Sequence, residues 1–288
     1  MRCGFVLSRG EMVGMSLFLM LTATAVLMGP TFSGYFLTNW ASGVSGGPYE
    51  FAPPALAALC VIAWSCWRRT SGLASTPDRP WAGAGLVILG VFLHQLGQRS
   101  GIIALCGMAL CPILGGILLM FQPAARVFAL AYPIVALLLL IPLPISVIDT
   151  TTILLRDFQT RLGGEVLSLF GYPVTREGFA LLLQRGGEAA GVMIDGDCSG
   201  IRTLPALLWG SSFILHLRGA SIARHAAVLA AVPLIAVAAN AARIILTFML
   251  VAHGMASLAG GAAHSAIGLG AGVAVLAAVF AMSRAGRI

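Results

Sequence analysis

Three residues far apart in this sequence carry reactive side chains in a setting that asks for chemistry. Cys198 lies in Asp195-Gly196-Asp197-Cys198-Ser199-Gly200-Ile201-Arg202, where two of the chain's ten acids flank it and an apolar run follows. Asp197 or Ser199 can cap a helix starting there. A cysteine in a first helical turn has its pKa lowered by the helix dipole and the free amides. Arg202, at i+4, shares its face. Asp195 and Asp197 push the other way, so a thiolate here needs positive partners.

Arg243 sits in Ala238-Ala239-Asn240-Ala241-Ala242-Arg243-Ile244-Ile245, inside an apolar helix pattern. An arginine at the centre of a membrane helix costs about 2.5–3.5 kcal/mol even on the lenient insertion scale. Such groups face a polar cavity or a partner. Asn240, at i−3, lies on the same face, and the pair can hold a carboxylate or an oxyanion through fixed donors. A salt bridge to an outer-loop acid, or snorkelling to the interface, would also account for Arg243.

His264 opens Ala263-His264-Ser265-Ala266-Ile267-Gly268. Histidine serves as base and then acid near neutral pH, and Gly268 at i+4 leaves room on its face for a helix or a substrate backbone. His253 competes for the same role. Together, a thiol, an imidazole and a donor for an oxyanion are the minimal parts of cysteine acyl transfer.

The elements that must position these groups read as membrane spans. Hydrophobic residues make up 59% of the 288-residue chain and charged residues 9%, against roughly 25% charged in a soluble domain. A span needs about 20 mostly apolar residues. Eight stretches qualify: 12–29, 51–67, 81–98, 101–121, 126–148, 200–217, 226–252 and 264–282. Pro133, Pro142 and Pro144 in the fifth predict kinks. The fold class expected is an all-α integral membrane protein, one domain over 1–288. Spans one to five fill 1–148, an extracytoplasmic segment fills 149–197, and the motif-bearing core fills 198–288. Within 149–197, Ile153, Leu154, Phe158, Leu162, Val166, Leu169 and Phe170 recur at helical spacing and predict an amphipathic helix on the outer surface.

All seventeen basic residues are arginine. Ten of them (Arg2, Arg9, Arg68, Arg69, Arg79, Arg126, Arg218, Arg224, Arg284 and Arg287) fall on one side of this layout. By the positive-inside rule that side, with both termini, is cytoplasmic. Cys198 at the mouth of span six, Arg243 in the outer third of span seven and His264 at the start of span eight then share one depth, on the outer face. The spans come from hydropathy and arginine bias alone, so the agreement in depth is independent of the chemistry.

The arginines are scattered singly, which argues against a nucleic-acid partner despite the formal charge of +7. Cys60, Cys66, Cys106 and Cys111 lie in apolar runs as small hydrophobes. No CxxC occurs, so neither a metal site nor a cofactor is expected.

The residues resemble the exosortase/archaeosortase family. Cys198-Ser199-Gly200-Ile201-Arg202 matches a CSGxR block, Asn240 to Arg243 an NxxR, and His264 to Gly268 an HxxxG, in the family's order. The resemblance implies a membrane cysteine transpeptidase or protease acting on secreted proteins. Their C-terminal sorting signal would hold a short polar motif, typically Pro-Glu-Pro in bacterial members, then a membrane helix and a basic tail. It assigns Cys198 as nucleophile, Arg243 as a catalytic or oxyanion-binding arginine and His264 as general acid/base, with Ser199, Arg202 and Asn240 in support. Histidine at the third place favours the bacterial branch, in the cytoplasmic membrane. Asp197 stands where many members have an apolar or small residue. The competing functions are a transporter with a polar path through Arg243, and a non-catalytic scaffold of an exopolysaccharide export system. A transporter ordinarily shows polar residues in several spans, whereas spans one, two and four lack charges and span five has only Arg126, at its first position.

Overall fold

The computed structural model describes residues 9–38, 49–73, 76–185, 188–194, 200–201, 203–255 and 261–284. Most are helical, and the chain forms two compact units, 1–144 and 145–288.

In the first unit, α1 (Arg9–Thr31) runs into a π-helical stretch, Phe32–Leu37. It is followed by α2 (Ala52–Arg69), α3 (Pro80–Ser100), α4 (Ile103–Met108) and α5 (Leu110–Phe121). The tightest packing joins α3 to α4 and α5 through glycines spaced seven apart. A Cβ added at Gly83 would stand 2.7 Å from the Gly116 carbonyl oxygen, one at Gly90 2.5 Å from Ile113 Cγ1, and one at Gly97 2.7 Å from Cys106 Sγ. Seven residues are nearly two helical turns, so the three glycines form one seam along α3. Met28, Ala109, Ile113 and Ile117 form the buried cluster beside it.

The expected fifth span, 126–148, is not one helix. The chain makes α6 (Ala124–Ala129), α7 (Ala131–Ala136) and a 3-10 turn, Leu137–Leu140. It then runs without helix through Ile141-Pro142-Leu143-Pro144. Two prolines in three positions remove backbone donors and bar the preceding residues from the helical region.

The second unit begins with α8 (Ile145–Leu169). Its apolar residues Ile153, Leu154, Phe158 and Leu169 are exposed, while Gln159, Thr160, Gly163 and Leu167 are buried. The helix therefore turns a partly polar face inward. After it comes a feature that corrects the all-α expectation: an antiparallel sheet of β1 (Val174–Glu177), β2 (Ala180–Arg185) and β3 (Glu188–Met193), in that order. Glu177 pairs with Ala180, leaving a two-residue loop in which Gly178 has φ +59°, the position a type II′ hairpin reserves for glycine. Leu181 and Leu183 point inward to a cluster with Leu167, Ile194, Ile244 and Phe248. The helical spacing of 153–170 predicts only the helix, and the strands beyond Tyr172 go unpredicted.

Three helices complete the unit: α9 (Leu204–Leu217), α10 (Ile222–Ala252) and α11 (Gly261–Arg284). Leu207, Leu215, Val228, Val232, Ala236, Val275 and Val279 form their shared core. Among the described residues, four helical segments are long and apolar enough to cross a membrane: Pro80–Ser100, Ile103–Phe121, Ile222–Ala252 and Ala266–Ser283. The count is five if the bent pair Ala131–Leu140 and Ile145–Leu169 is one span. The sixth expected span is shorter than read, because α9 has 14 residues, about 21 Å at 1.5 Å per residue.

Candidate active site

Arg243 is the best-defined member of the candidate site. It projects from α10 into a cavity of about 30 Å³ shared by α9, α10, α11 and the residues that precede α9. The volume holds a water molecule or two. Its lining includes Gly200, Thr203, Asn240, Arg243, Gly268 and Gly272. The Nε and Nη2 atoms of Arg243 are buried and have no hydrogen-bond partner among the described residues. Both salt bridges among the described residues fall on Asp157, with Arg161 at 2.9 Å and with Arg176. The salt-bridge explanation for Arg243 therefore finds no acid among the described residues. A buried donor left unmade costs about 1–3 kcal/mol.

Two glycines make this placement of the guanidinium sterically possible. A Cβ at Gly268 would stand 2.9 Å from Arg243 Nη1. The space predicted on the histidine face of α11 is thus occupied by the guanidinium itself. Gly200, at φ +78°, lies against Asn240, where a Cβ would come 3.4 Å from Cγ. The Gly200 carbonyl accepts from Thr203 Oγ1 at 3.0 Å and from the Leu204 amide at 3.2 Å in a turn that precedes α9. The helix itself starts at Leu204 with Thr203 as its N-cap, later than the expected cap at Asp197 or Ser199, because Gly200 takes a left-handed φ of +78°.

Asn240 and Arg243 occupy one face of α10, as their spacing requires. Asn240 is buried and donates Nδ2–H to Gln159 Oε1 at 2.8 Å. Gln159 was absent from the sequence reading. It lay in a segment scanned for its apolar stripe, and the signal available was the adjacent polar pair Gln159-Thr160 between apolar residues. One turn further along both helices, a Cβ at Gly163 would make ordinary contact with Leu181 Cδ1 at 3.4 Å and Ile244 Cγ2 at 3.7 Å.

Cys198, Ser199 and Arg202 lie outside the described residues, as do Asp195 and Asp197. Gly200, two residues beyond Cys198, lines the cavity. His264 lies in α11 one turn before Gly268, and its side chain is also outside the described residues. His253 follows α10, with its ring nitrogen 2.8 Å from the Met249 carbonyl and its ring edge-on to Tyr172 at 6.2 Å. It is not among the residues lining the Arg243 cavity. Segments from all three sequence motifs thus border one space: Gly200 from the first, Asn240 and Arg243 from the second, Gly268 from the third.

A family model described as transmembrane exosortase matches residues 52–281. The chain belongs to the transmembrane exosortase family. The match covers both units and all three motifs. Exosortases are membrane proteins and generally cysteine transpeptidases, in keeping with the apolar helices of this chain. No curated protein and no solved structure matches it.

Proposed function

We infer that this exosortase is a membrane cysteine transpeptidase or protease that cleaves C-terminal sorting signals from secreted proteins at the outer face of the cytoplasmic membrane. The observation that carries this reading is the Arg243 guanidinium, with two buried donors unpartnered among the described residues, in a cavity bordered by Gly200 and Gly268. The Cys198 thiolate attacks the carbonyl carbon of the scissile peptide, and the carbonyl electron pair moves onto oxygen. Arg243 holds that oxyanion through its fixed fork of N–H donors. Collapse of the tetrahedral adduct breaks the C–N bond, the leaving amine takes a proton from the His264 imidazolium, and a thioester remains on Cys198. An acceptor amine or water then gives its proton to His264, attacks the thioester and releases the thiolate. Ser199, Arg202 and Asn240 support this arrangement. The substrates are secreted proteins ending in a short polar motif of the Pro-Glu-Pro kind, a membrane helix and a basic tail.

Co-expression of full-length protein with candidate substrates from the same genome tests the reading. Cys198→Ala leaves the substrates full-length in the membrane, as read by immunoblot of the C-terminal tail. A transporter or a scaffold keeps its function in this variant, so normal processing with Cys198→Ala overturns the enzyme assignment.

A further inference from the structure

Leu56, Leu59, Ala63, Trp64 and Trp67 recur at helical spacing along one face of α2. That face lines an open groove of about 430 Å³ in the first unit, and its other wall comes from α5 and α7, with Leu118 and Pro133 among its residues. Every side chain lining it is apolar. From Leu56 to Trp67 the groove follows α2 for about 16 Å at 1.5 Å per residue, close to half of the ~30 Å hydrocarbon core of a bilayer. Leu118 belongs to Ile103–Phe121, a segment long and apolar enough to cross a membrane. Trp64, on the facing wall, is 62% exposed. An apolar trough as deep as one leaflet fits an acyl chain.

The tryptophan end of the groove is basic. The Arg68 guanidinium lies 5.8 Å from the Trp64 ring centre, and Arg69 follows it. Both arginines are exposed, and neither has an acid partner among the described residues. The other charges near this end are Arg126, Asp78 and Arg79. Arg126 is held by Gln122 and the Thr70 carbonyl, and Asp78 accepts from the Ala124 amide at 2.7 Å. Arg79 caps the start of α3 and is exposed. Glu50, the acid near α2 at its other end, precedes the helix. A negative headgroup therefore has one end of the groove to choose. A membrane helix with a basic tail, as the proposed substrates carry, would set like charges against Arg68 and Arg69.

We propose that this groove is a binding site for an anionic phospholipid, with one acyl chain lying along α2 against Trp64 and Trp67 and the phosphate held by Arg68 and Arg69. Aromatic rings beside arginines at the edge of an apolar wall are the residues that meet lipid headgroups, and basic pockets between membrane helices select anionic ones. The proposal does not depend on the enzyme reading.

The test uses full-length protein in phosphatidylcholine nanodiscs and reads tryptophan fluorescence. Phosphatidylglycerol with dibrominated acyl chains is added in increasing proportion, since bromine quenches a tryptophan it touches; dibrominated phosphatidylcholine is the zwitterionic reference. Each arginine beside an anionic headgroup is worth about fivefold in affinity. The phosphatidylglycerol therefore reaches half-maximal quenching at a mole fraction roughly twentyfold lower than the reference. Arg68→Gln/Arg69→Gln abolishes that preference, and Arg99→Gln/Arg161→Gln, which removes the same charge from exposed positions elsewhere, keeps it. Ala63→Phe, which fills the groove, lowers the quenching by phosphatidylglycerol. Trp64→Phe/Trp67→Phe removes the preferential quenching, whereas Trp81→Phe retains it. Melting temperatures confirm that each variant is folded. Equal quenching by the two lipids overturns the proposal, as does a preference that survives in folded Arg68→Gln/Arg69→Gln or in Trp64→Phe/Trp67→Phe.

Discussion

Two arginines in this chain, one in each compact unit, occupy opposite kinds of site. Arg126 in the first unit is 6% exposed and richly engaged. Its Nη1 donates to Gln122 Oε1, its Nη2 donates to the Thr70 carbonyl at 2.7 Å, and its guanidinium lies 5.0 Å from the Trp67 ring centre. It ties α6 to the end of α2. Arg243 in the second unit has two buried nitrogens with no such partners and faces a cavity. The first shows how this protein satisfies both terminal nitrogens of a guanidinium used for structure, its Nε alone being buried without a partner among the described residues. The second lacks that satisfaction, as a donor held ready for a transient anion would. The difference teaches that a buried charge points to chemistry through its unmet bonds rather than through its burial.

Substitutions can break or sharpen this contrast. The largest effect belongs to Arg243→Ala, which lowers the rate of substrate processing by about 10²–10³, the cost of a lost oxyanion donor. His264→Ala likewise leaves full-length substrate in the membrane, and normal processing by either variant removes that residue from the site. Gly268→Ala comes next. Its methyl would stand 2.9 Å from Arg243 Nη1, and a displacement of ~1 Å at a reacting group can cost up to about a hundredfold. Processing by this variant falls while the protein still accumulates in the membrane. Arg243→Lys loses about tenfold, because an ammonium keeps the charge without the planar fork. Undiminished cleavage there would reduce Arg243 to a positive charge alone.

Arg126→Met reverses the pattern. It destabilises the protein by about 1–3 kcal/mol, since Gln122 and the Thr70 carbonyl lose their donor, and it lowers the melting temperature in detergent. Processing per folded molecule is unchanged. The smallest effect is that of Asp157→Asn, which breaks exposed ion pairs with Arg161 and Arg176. It leaves the melting temperature within error of the unsubstituted protein, because solvent screens such pairs.

The parts of the site legible in the sequence were those governed by a single helix. Asn240 and Arg243 at i and i+3, and Gly268 one turn beyond His264, follow from helical period alone, and their faces are found as that period requires. Hydropathy likewise locates the long apolar helices. Features that depend on two elements meeting were hidden. Gln159 contacts Asn240 because α8 packs against α10, and no local pattern reports such a contact. The sheet was hidden for a different reason. Its strands are short, and the apolar run Ala180-Leu181-Leu182-Leu183 masks their alternation. The break at Pro142 and Pro144 was visible as a kink, but its extent was not.

The seam of Gly83, Gly90 and Gly97 sets a mechanical limit on the first unit. There α3 has no side chain at those three positions to swing aside, and backbone atoms of α5 and of the turn into α4 come within 3.1 Å of where a Cβ would stand. A lipid tail or an incoming helix has no rotamer change by which to wedge between α3 and its neighbours. Those helices must tilt, bend or shift together, as one stiff plank rather than as separate staves.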